Sequence, residues 1–326
     1  MRRRLSCAGF AFLISLSGGW AGGMAQAAEF TKQLTRIVVP FAPGGGTDII
    51  GRTLAQELAR TIGGTVIVEN RPGAGTVLGT DFVAKSAPDG HTLLMATFSH
   101  AVNPSLRRTL PFDTEKDFVP VALIARSYNV VVTNPKSGIN SIADLIAQAR
   151  AQPDRFNYGT FGPGTSGHLA GELFKSLAGV KLTAVHYKGS APAITDLLGG
   201  TIQIMFSTVP SVSSLMQSGQ LKALAVTSVG RSPAFPDLPT VAEAGVPGYA
   251  AESWYGVFAP AGSPPDAIQL LNAAVDKAIK APSFNNLVEN EGLNMIGGPP
   301  GRLGDYVKGE QVRWRKVIQD SGIEPE

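Results

Sequence analysis

Short apolar runs alternate with longer amphipathic stretches along the first half of the chain. Apolar or β-branched runs of about four to eight residues are typical of buried strands, whereas apolar residues that recur every three or four positions are typical of helices. The pattern predicts strands at 36–41, 66–69 and 92–96, helices at 49–60 and 82–86, and a pair of strands at 119–125 and 129–133. Strands that alternate with helices indicate an α/β fold.

A second series of the same kind follows Asn134 and Pro135, a dipeptide that favours a turn. It predicts helices at 142–150, 169–177 and 191–198, and strands at 157–160, 203–206 and 223–227. Residues 230–249 contain four prolines, which predicts a long irregular connection. A strand at 254–258 and closing helices at 264–279 and 303–320 complete the pattern. A chain of this size usually divides into two lobes.

The first residues have the pattern of a signal peptide. Three arginines at 2–4 precede an apolar run at 7–16, and Ala25-Gln26-Ala27 provides the small residues that a signal peptidase requires. The apolar run is much shorter than the roughly 20 residues of a membrane span. We therefore expect residues 1–27 to be removed after Ala27, which releases the mature protein into the periplasm.

Removal of this segment changes the charge and the cysteine content. The full chain has 28 basic and 25 acidic residues, and residues 1–27 contain three arginines and no acid, so 25 of each remain. A balanced charge argues against nucleic acid as a partner. The single cysteine, Cys7, leaves with the signal peptide, and the four histidines show no metal-ligand spacing. We expect no disulfide, no metal site and no cofactor.

Two glycine-rich turns, one in each half of the chain, each join a predicted strand to a helix. The first is VVPFAPGGGTD at 38–48 and the second is YGTFGPGTSGH at 158–168. Glycines let the backbone approach a ligand closely, and the free N–H groups of a helix's first turn carry partial positive charge. Such turns also join strands to helices in many α/β proteins without binding anything. Two matched turns nevertheless favour a shared anion-binding cleft.

Both turns differ from better-known motifs at one decisive position. Residues 46–53 read G-x-x-x-x-G-R-T, with Arg52 where a phosphate loop has lysine, which argues against nucleotide hydrolysis. Residues 164–167 are similar to a nucleophile elbow, but His168 stands where the last glycine is required. An esterase-like hydrolase that uses Ser166 is the alternative function, and we expect the protein not to be an enzyme.

Six stretches of the mature chain resemble the Bug proteins, the TctC-like solute receptors of tripartite tricarboxylate transporters. They are IVVPFAPGG at 37–45, ENRPGAG at 69–75, APDG at 87–90, HLAGELF at 168–174, LPTVAEAG at 238–245 and WYGVFAPAG at 254–262. The sequence departs from the usual pattern at 76–78, where glycine and a polar residue are commoner than Thr-Val-Leu, and at His91, which is commonly tyrosine. These departures concern ligand preference more than the fold.

The resemblance implies an α/β fold similar to type II periplasmic binding proteins, with two lobes joined by two crossing strands. Lobe 1 would comprise residues 28–124 and 254–326, and lobe 2 residues 125–253. Each glycine-rich turn would contribute backbone amides, hydroxyls and ordered water to the binding of a ligand carboxylate. The residues carried over to this site are Phe41, Gly45, Gly46, Thr47, Asp48, Ser99, Thr160, Gly164, Thr165, Ser166, His168 and Lys188.

The same resemblance implies the partners. A monomeric receptor would capture a small carboxylate-bearing molecule and deliver it to membrane transporter subunits. Presentation of the ligand to a membrane sensor kinase is the alternative. For Asp48 and Ser166, stabilisation of a helix N-terminus is an alternative to ligand contact.

Overall fold

A computed structural model describes residues 33–153, 155–320 and 323–325 of the chain. The predicted signal peptide, residues 1–27, lies outside the described residues. Within these ranges, no helix combines the length and the apolar character that crossing a bilayer requires.

Five strands and the first part of a sixth form sheet A. β1 (Thr35–Val39) lies between β2 (Val66–Asn70) and β3 (Thr92–Thr97), and all three are parallel. β9 (Glu252–Pro260) runs antiparallel between β3 and β4 (Phe118–Thr133), and the short β10 (Asn294–Met295) also pairs with β4. Sheet A thus combines the beginning of the chain with its end.

Sheet B is built on the second part of β4. β7 (Ile204–Thr208) and β8 (Lys222–Val226) pair with residues 129–133 in antiparallel fashion, and β5 (Asn157–Thr160) lies between β7 and β6 (Thr183–His186) with parallel pairing. The chain passes from sheet A to sheet B within β4. The chain returns to sheet A just before β9. There Ala251 donates its N–H to the carbonyl oxygen of Thr227 at 2.8 Å.

Ten helices are described between and after these strands. They are α1 (Gly46–Ile62), α2 (Val77–Ala84), α3 (Phe98–Leu106), α4 (Ile142–Ala151), α5 (Ser166–Ala178), α6 (Ser190–Gly199), α7 (Val209–Gln217), α8 (Pro265–Ala278), α9 (Pro282–Glu291) and α10 (Pro300–Asp320). α1 shows why the apolar pattern predicted a helix, because Ile50, Leu54 and Leu58 recur every four residues and are fully buried. It ends at Gly63, whose positive φ of 73° is the left-handed conformation that glycine adopts readily.

The predicted elements exist, with three differences. The two runs predicted as separate strands form the single strand β4, because pairing with β9 continues through Arg126, Ser127 and Tyr128. The helix predicted at 82–86 lies earlier, in α2. The pattern did not reveal β6, β10 or the helices α3, α7 and α9. In α7 the sequence VPSVSSLMQ is rich in residues with low helix propensity, and α3 contains Pro104.

α10 connects the two parts of the molecule. Its Trp314 is almost fully buried, and the ring packs edge-on against Phe98 of α3 at 4.6 Å between centroids. The neighbouring Arg313 donates to the carbonyl oxygen of Ala250 at 3.4 Å, in the segment that returns from sheet B. The final helix therefore packs on the junction of the two sheets as well as on sheet A.

Candidate functional site

The carboxyl ends of five parallel strands are each followed directly by a helix. β1 and β3 of sheet A lead into α1 and α3, and β5, β6 and β7 of sheet B lead into α5, α6 and α7. In open α/β sheets, ligands bind in the crevice outside these strand ends. The N-termini of these five helices meet at such a crevice, between sheets A and B.

The crevice contains a cavity with about 360 Å³ of atom-free space, part of which is open to solvent. None of the described residues that line it has a charged side chain. The lining residues are Phe41, Gly45, Gly46, Thr47, Thr97, Phe161, Thr165, Ser166, Ser190, Thr208, Ser253 and Tyr255.

The residue at the N-cap position of each of these five helices provides no side-chain hydrogen bond to the N–H groups of the first turn. The capping residues are Gly45, Thr97, Thr165, Gly189 and Thr208, and none of them accepts a helix N–H through its side chain. Unsatisfied N–H groups and the helix dipoles give such termini partial positive charge, which favours an anion. The cavity therefore attracts an anion without a lysine or arginine in its wall.

Six of the twelve residues predicted for the site line this cavity, four from the first glycine-rich turn and two from the second. The first turn contributes Phe41, Gly45, Gly46 and Thr47, and the second contributes Thr165 and Ser166. Both predicted turns thus meet at one cavity. Whether each residue contacts a ligand stays a prediction.

Asp48 lies behind the first turn, and its carboxylate is engaged within the protein. One oxygen accepts the Gly44 N–H and the Arg52 Nε, each at 2.9 Å, and the other accepts the Asn70 Nδ2 at 2.8 Å. Burial raises the pKa of the Asp48 carboxyl, but the hydrogen bonds from Arg52, Gly44 and Asn70 outweigh it and hold the pKa below its usual range. Asp48 therefore stays ionised and fixes the turn that precedes α1.

His168 and Thr160 support the second turn from behind. Nδ1 of His168 accepts the Gly164 N–H at 3.2 Å, and Oγ1 of Thr160 accepts the Gly162 N–H at the same distance. Burial, followed by the neighbouring His186, lowers the pKa of His168 from its ordinary 6.5 to about 4. The His168 ring is therefore neutral at physiological pH, with Nδ1 free to accept. Gly164 itself has a positive φ of 72°, and a Cβ there would meet Asn103 of α3, not the cavity.

The two remaining predicted residues also lie outside the cavity lining. Ser99 is buried in the first turn of α3, and its hydroxyl has no hydrogen-bond partner among the described residues. Lys188 is exposed, and its carbonyl oxygen accepts the Ala42 N–H at 2.9 Å. This bond joins a sheet A turn directly to a sheet B turn.

Half of the lining residues were not predicted from the sequence. They are Thr97, Phe161, Ser190, Thr208, Ser253 and Tyr255. Four of them lie next to strand ends or helix starts. For Phe161 and Ser190, the predicted strand and helix nearby could have indicated this position. Ser253 and Tyr255 lie in β9, where only the pairing of β9 with β3 and β4 brings them to the cavity.

Metal chemistry has no support in the part of the chain that the structure describes. No group of three or more His, Cys, Asp or Glu side chains there is placed to hold a metal ion. The donors that do converge on the cavity are backbone amides and hydroxyls, which suit a carboxylate.

Comparison with known proteins identifies the family. A family described as "TctC: Tripartite tricarboxylate transporter family receptor" matches residues 50–323. The chain is 39% identical to Protein BugT of Bordetella pertussis over 289 residues, which covers 88% of this chain and 89% of BugT. It is 40% identical over 282 residues to a Pseudomonas protein named "UPF0065 protein in tcbD-tcbE intergenic region", which covers 86% and 84% of the two chains.

Solved structures show that the fold is shared. "R. palustris Rpa4515 with adipate" has a TM-score of 0.87 and 37% identity, and the match covers 90% of this chain and 98% of that one. "MatC (Rpa3494) from Rhodopseudomonas palustris with bound malate" has a TM-score of 0.83 and 32% identity, with 87% and 99% covered. The periplasmic binding protein BugD, at 32% identity, has a TM-score of 0.87 with 90% and 99% covered. The chain therefore belongs to the TctC family of tripartite tricarboxylate transporter receptors, the Bug periplasmic solute-binding proteins.

Proposed function

We propose that this protein binds a small carboxylate-bearing molecule in the cavity between sheets A and B and presents it to the membrane subunits of a tripartite transporter. The observation that carries the proposal is the meeting of five helix N-termini at a cavity whose lining has no charged side chain. A carboxylate near one such terminus is stabilised by about 0.3–1 kcal/mol at an exposed site and by up to about 2 kcal/mol when partly buried.

The named ligands of two similar structures support this chemistry. One of these structures is described with adipate and the other with bound malate, and both molecules are dicarboxylates. The hydroxyls of Ser190 and Thr208 also line the cavity, and a hydroxyl can donate to a carboxylate oxygen or exchange hydrogen bonds with a ligand hydroxyl. A carboxylate therefore suits the donors that line the cavity.

The two sheets support a division of the protein into two lobes. We infer that residues 28–124 with 254–326 form lobe 1 around sheet A, and residues 125–253 form lobe 2 around sheet B. β4 carries pairing partners in both sheets, and β9 begins where the chain returns from sheet B. Rotation about this pair of strands would open the cavity, because the helix N-termini that line it come from both sheets.

The environment of Ser166 argues against the alternative of an esterase. Its Oγ donates to Oδ1 of Asn129 at 3.3 Å, and an amide oxygen is not a general base. Nδ1 of the neighbouring His168 already accepts the Gly164 N–H. A nucleophilic serine requires an adjacent base, so Ser166 is better suited to ligand binding than to attack.

Calorimetric titration tests the proposal. Adipate and malate are compared with adipamide, which has the length of adipate but no charge. We expect saturable one-site binding of at least one carboxylate and no measurable binding of the diamide. Equal binding of adipamide would contradict the proposal that the helix N-termini bind an anion. Turnover of an activated ester that is lost in Ser166→Ala would instead support the hydrolase.

A further inference from the structure

The turn at residues 73–76, directly after β2, has an unusual backbone. Four successive residues have positive φ, namely Gly73 at 137°, Ala74 at 47°, Gly75 at 59° and Thr76 at 83°. Residues with a Cβ rarely adopt this region, and a β-branched residue such as Thr76 does so least readily. Conformations of this kind persist only where the surroundings hold them in place.

Helix α3 holds the 73–76 turn on the sheet A side. Nδ2 of Asn103 donates to Oγ1 of Thr76 at 3.2 Å and to the carbonyl oxygen of Gly75 at 3.4 Å. The guanidinium of Arg107 donates to the carbonyl oxygen of Ala74 at 3.2 Å. Asn103 and Thr76 are both almost fully buried, so the turn is a fixed part of this side of the molecule.

The turn faces the second glycine-rich turn, which belongs to the sheet B side. A Cβ built on Gly75 would lie 2.2 Å from the carbonyl oxygen of Pro163, and one built on Gly162 would lie 3.5 Å from the Cα of Gly75. The two backbones are therefore in direct contact. A Cβ on Gly164, in the same turn as Pro163, would lie 3.0 Å from Oδ1 of Asn103.

This contact is separate from the bond between Ala42 and Lys188. Neither the 73–76 turn nor Pro163 lines the cavity, so neither contacts a ligand held there. Pro163 nevertheless lies two residues before Thr165, the capping residue of α5 at the cavity. The position of the 162–165 turn therefore determines where the α5 N-terminus points in the closed form.

We propose that the 73–76 turn is the seat on which the 162–165 turn closes, and that Gly75 is a positioning residue for ligand binding because only a residue without a Cβ lets the two backbones meet. The proposal rests on the proposed function, since closure matters only if the cavity binds a ligand. A methyl group at Gly75 collides with a backbone carbonyl, and no side-chain rotation relieves that clash. The cleft can then close only incompletely.

The test compares Gly75→Ala with Gly63→Ala as a matched control. Gly63 also has a positive φ, 73°, but a Cβ there has no atom within 4 Å, so the control carries the backbone cost without the contact. Closure is measured by pulsed electron paramagnetic resonance between spin labels at Gln56→Cys on α1 and Ser176→Cys on α5, both exposed. A Cys7→Ser background leaves these two thiols as the only ones.

With adipate or malate, we expect Gly63→Ala to show the same short distance as the unsubstituted protein. Gly75→Ala should keep a longer distance, and its Kd should rise at least tenfold. Equal distances and equal Kd values in the two variants would overturn the proposal. So would a Gly75→Ala protein that fails to fold where Gly63→Ala folds, because the clash would then belong to the fold and not to closure.

The same variants separate this inference from the proposed function. If the unsubstituted protein binds no carboxylate, the proposed function fails. The distances in the unliganded proteins then decide the inference alone, because neither Gly75 nor Pro163 lines the cavity. Fewer short distances in Gly75→Ala than in Gly63→Ala would support the seat, and identical distributions would overturn it.

Discussion

The backbone N–H of Gly46 donates a hydrogen bond of 2.7 Å to Oγ of Ser211, and this bond joins the start of α1 on sheet A to α7 on sheet B. Ser211 also lies 3.0 Å from the hydroxyl of Ser190 and 2.9 Å from that of Thr208. A chain of three hydroxyls therefore satisfies one of the donors that α1 would otherwise leave free. Because its partners lie on sheets A and B, a rotation that separates the two sheets would break this bond.

Ser211→Ala should weaken ligand binding modestly. The substitution removes one hydrogen bond that forms on closure, and such a bond contributes about 0.5–1.5 kcal/mol, which corresponds to a rise in Kd of about two- to tenfold. Calorimetry with the carboxylate that binds best measures the change. Ser214→Ala is the control, because Ser214 is exposed on the same helix. An unchanged Kd in Ser211→Ala would show that the bond does not contribute to closure.

A negative charge at Thr165 should abolish binding. Asp and Asn are both good helix N-caps and have nearly the same shape, so Thr165→Asp and Thr165→Asn differ mainly in charge. Thr165 is almost fully buried at the cavity, where a carboxylate would repel a bound anion in a poorly hydrated site. We expect the Asn variant to lose less than tenfold in affinity and the Asp variant more than a hundredfold. Similar losses in both would mean that shape, not charge, determines binding there.

The sequence predicted the elements whose pattern is local. The helix that became α1 has buried residues at regular helical spacing, and both glycine-rich turns precede helices as expected. The junction in β4 was not predictable from its own residues. Arg126 and Ser127 interrupt the apolar run, and they continue the strand because Trp254 and Ser253 of β9 pair with them. That pairing joins residues more than 100 positions apart.

The missed part of the site has the same cause. Thr208 and Ser211 belong to α7, and Thr97 caps α3, so two helices that the pattern did not reveal hid these hydroxyls. Asp48 and His168, the last residues of the two turns, were assigned to the site by the resemblance to the Bug proteins. Their side chains point back to the turn backbone and accept its N–H groups. The glycine-rich pattern and the resemblance identified the turns but not the direction of each side chain.

Export should produce a mature protein that begins at Ala28. The arginines at 2–4, the apolar run at 7–16 and the small residues at 25 and 27 carry this prediction. N-terminal sequencing of the periplasmic fraction measures it. Ala27→Arg places a large charged residue at the cleavage site and should cause the precursor to accumulate, whereas Gln26→Ser should be processed normally. An unprocessed Met1 in the membrane fraction of cells with the unsubstituted protein would contradict the prediction.

The free energy of unfolding should decrease as the pH falls, because His168 becomes protonated more readily in the unfolded chain than in the folded protein. Its pKa is about 4 in the folded protein and 6.5 ordinarily, so between these values the unfolded chain binds a proton that the folded protein does not. The contribution to the free energy of unfolding is therefore fully present above pH 6.5 and is lost as the pH falls towards 4. By pH 4.5 the loss from His168 should be about 2 kcal/mol. His100, whose pKa burial also lowers to about 4, adds a loss of the same sign.

His168→Asn isolates the contribution of His168, because the amide oxygen of asparagine can accept the Gly164 N–H in place of Nδ1 and does not titrate. Urea unfolding at pH 7.5 and 4.5 gives the free energy of each protein. We expect the unsubstituted protein to lose about 2 kcal/mol more than His168→Asn between these two values. Affinity should follow the same order, because protonation of Nδ1 removes the acceptor that holds the 162–165 turn at the cavity. Protonation of the ligand affects both proteins equally and cancels in the comparison. A parallel loss of stability in the two proteins would show that His168 does not carry the acid sensitivity.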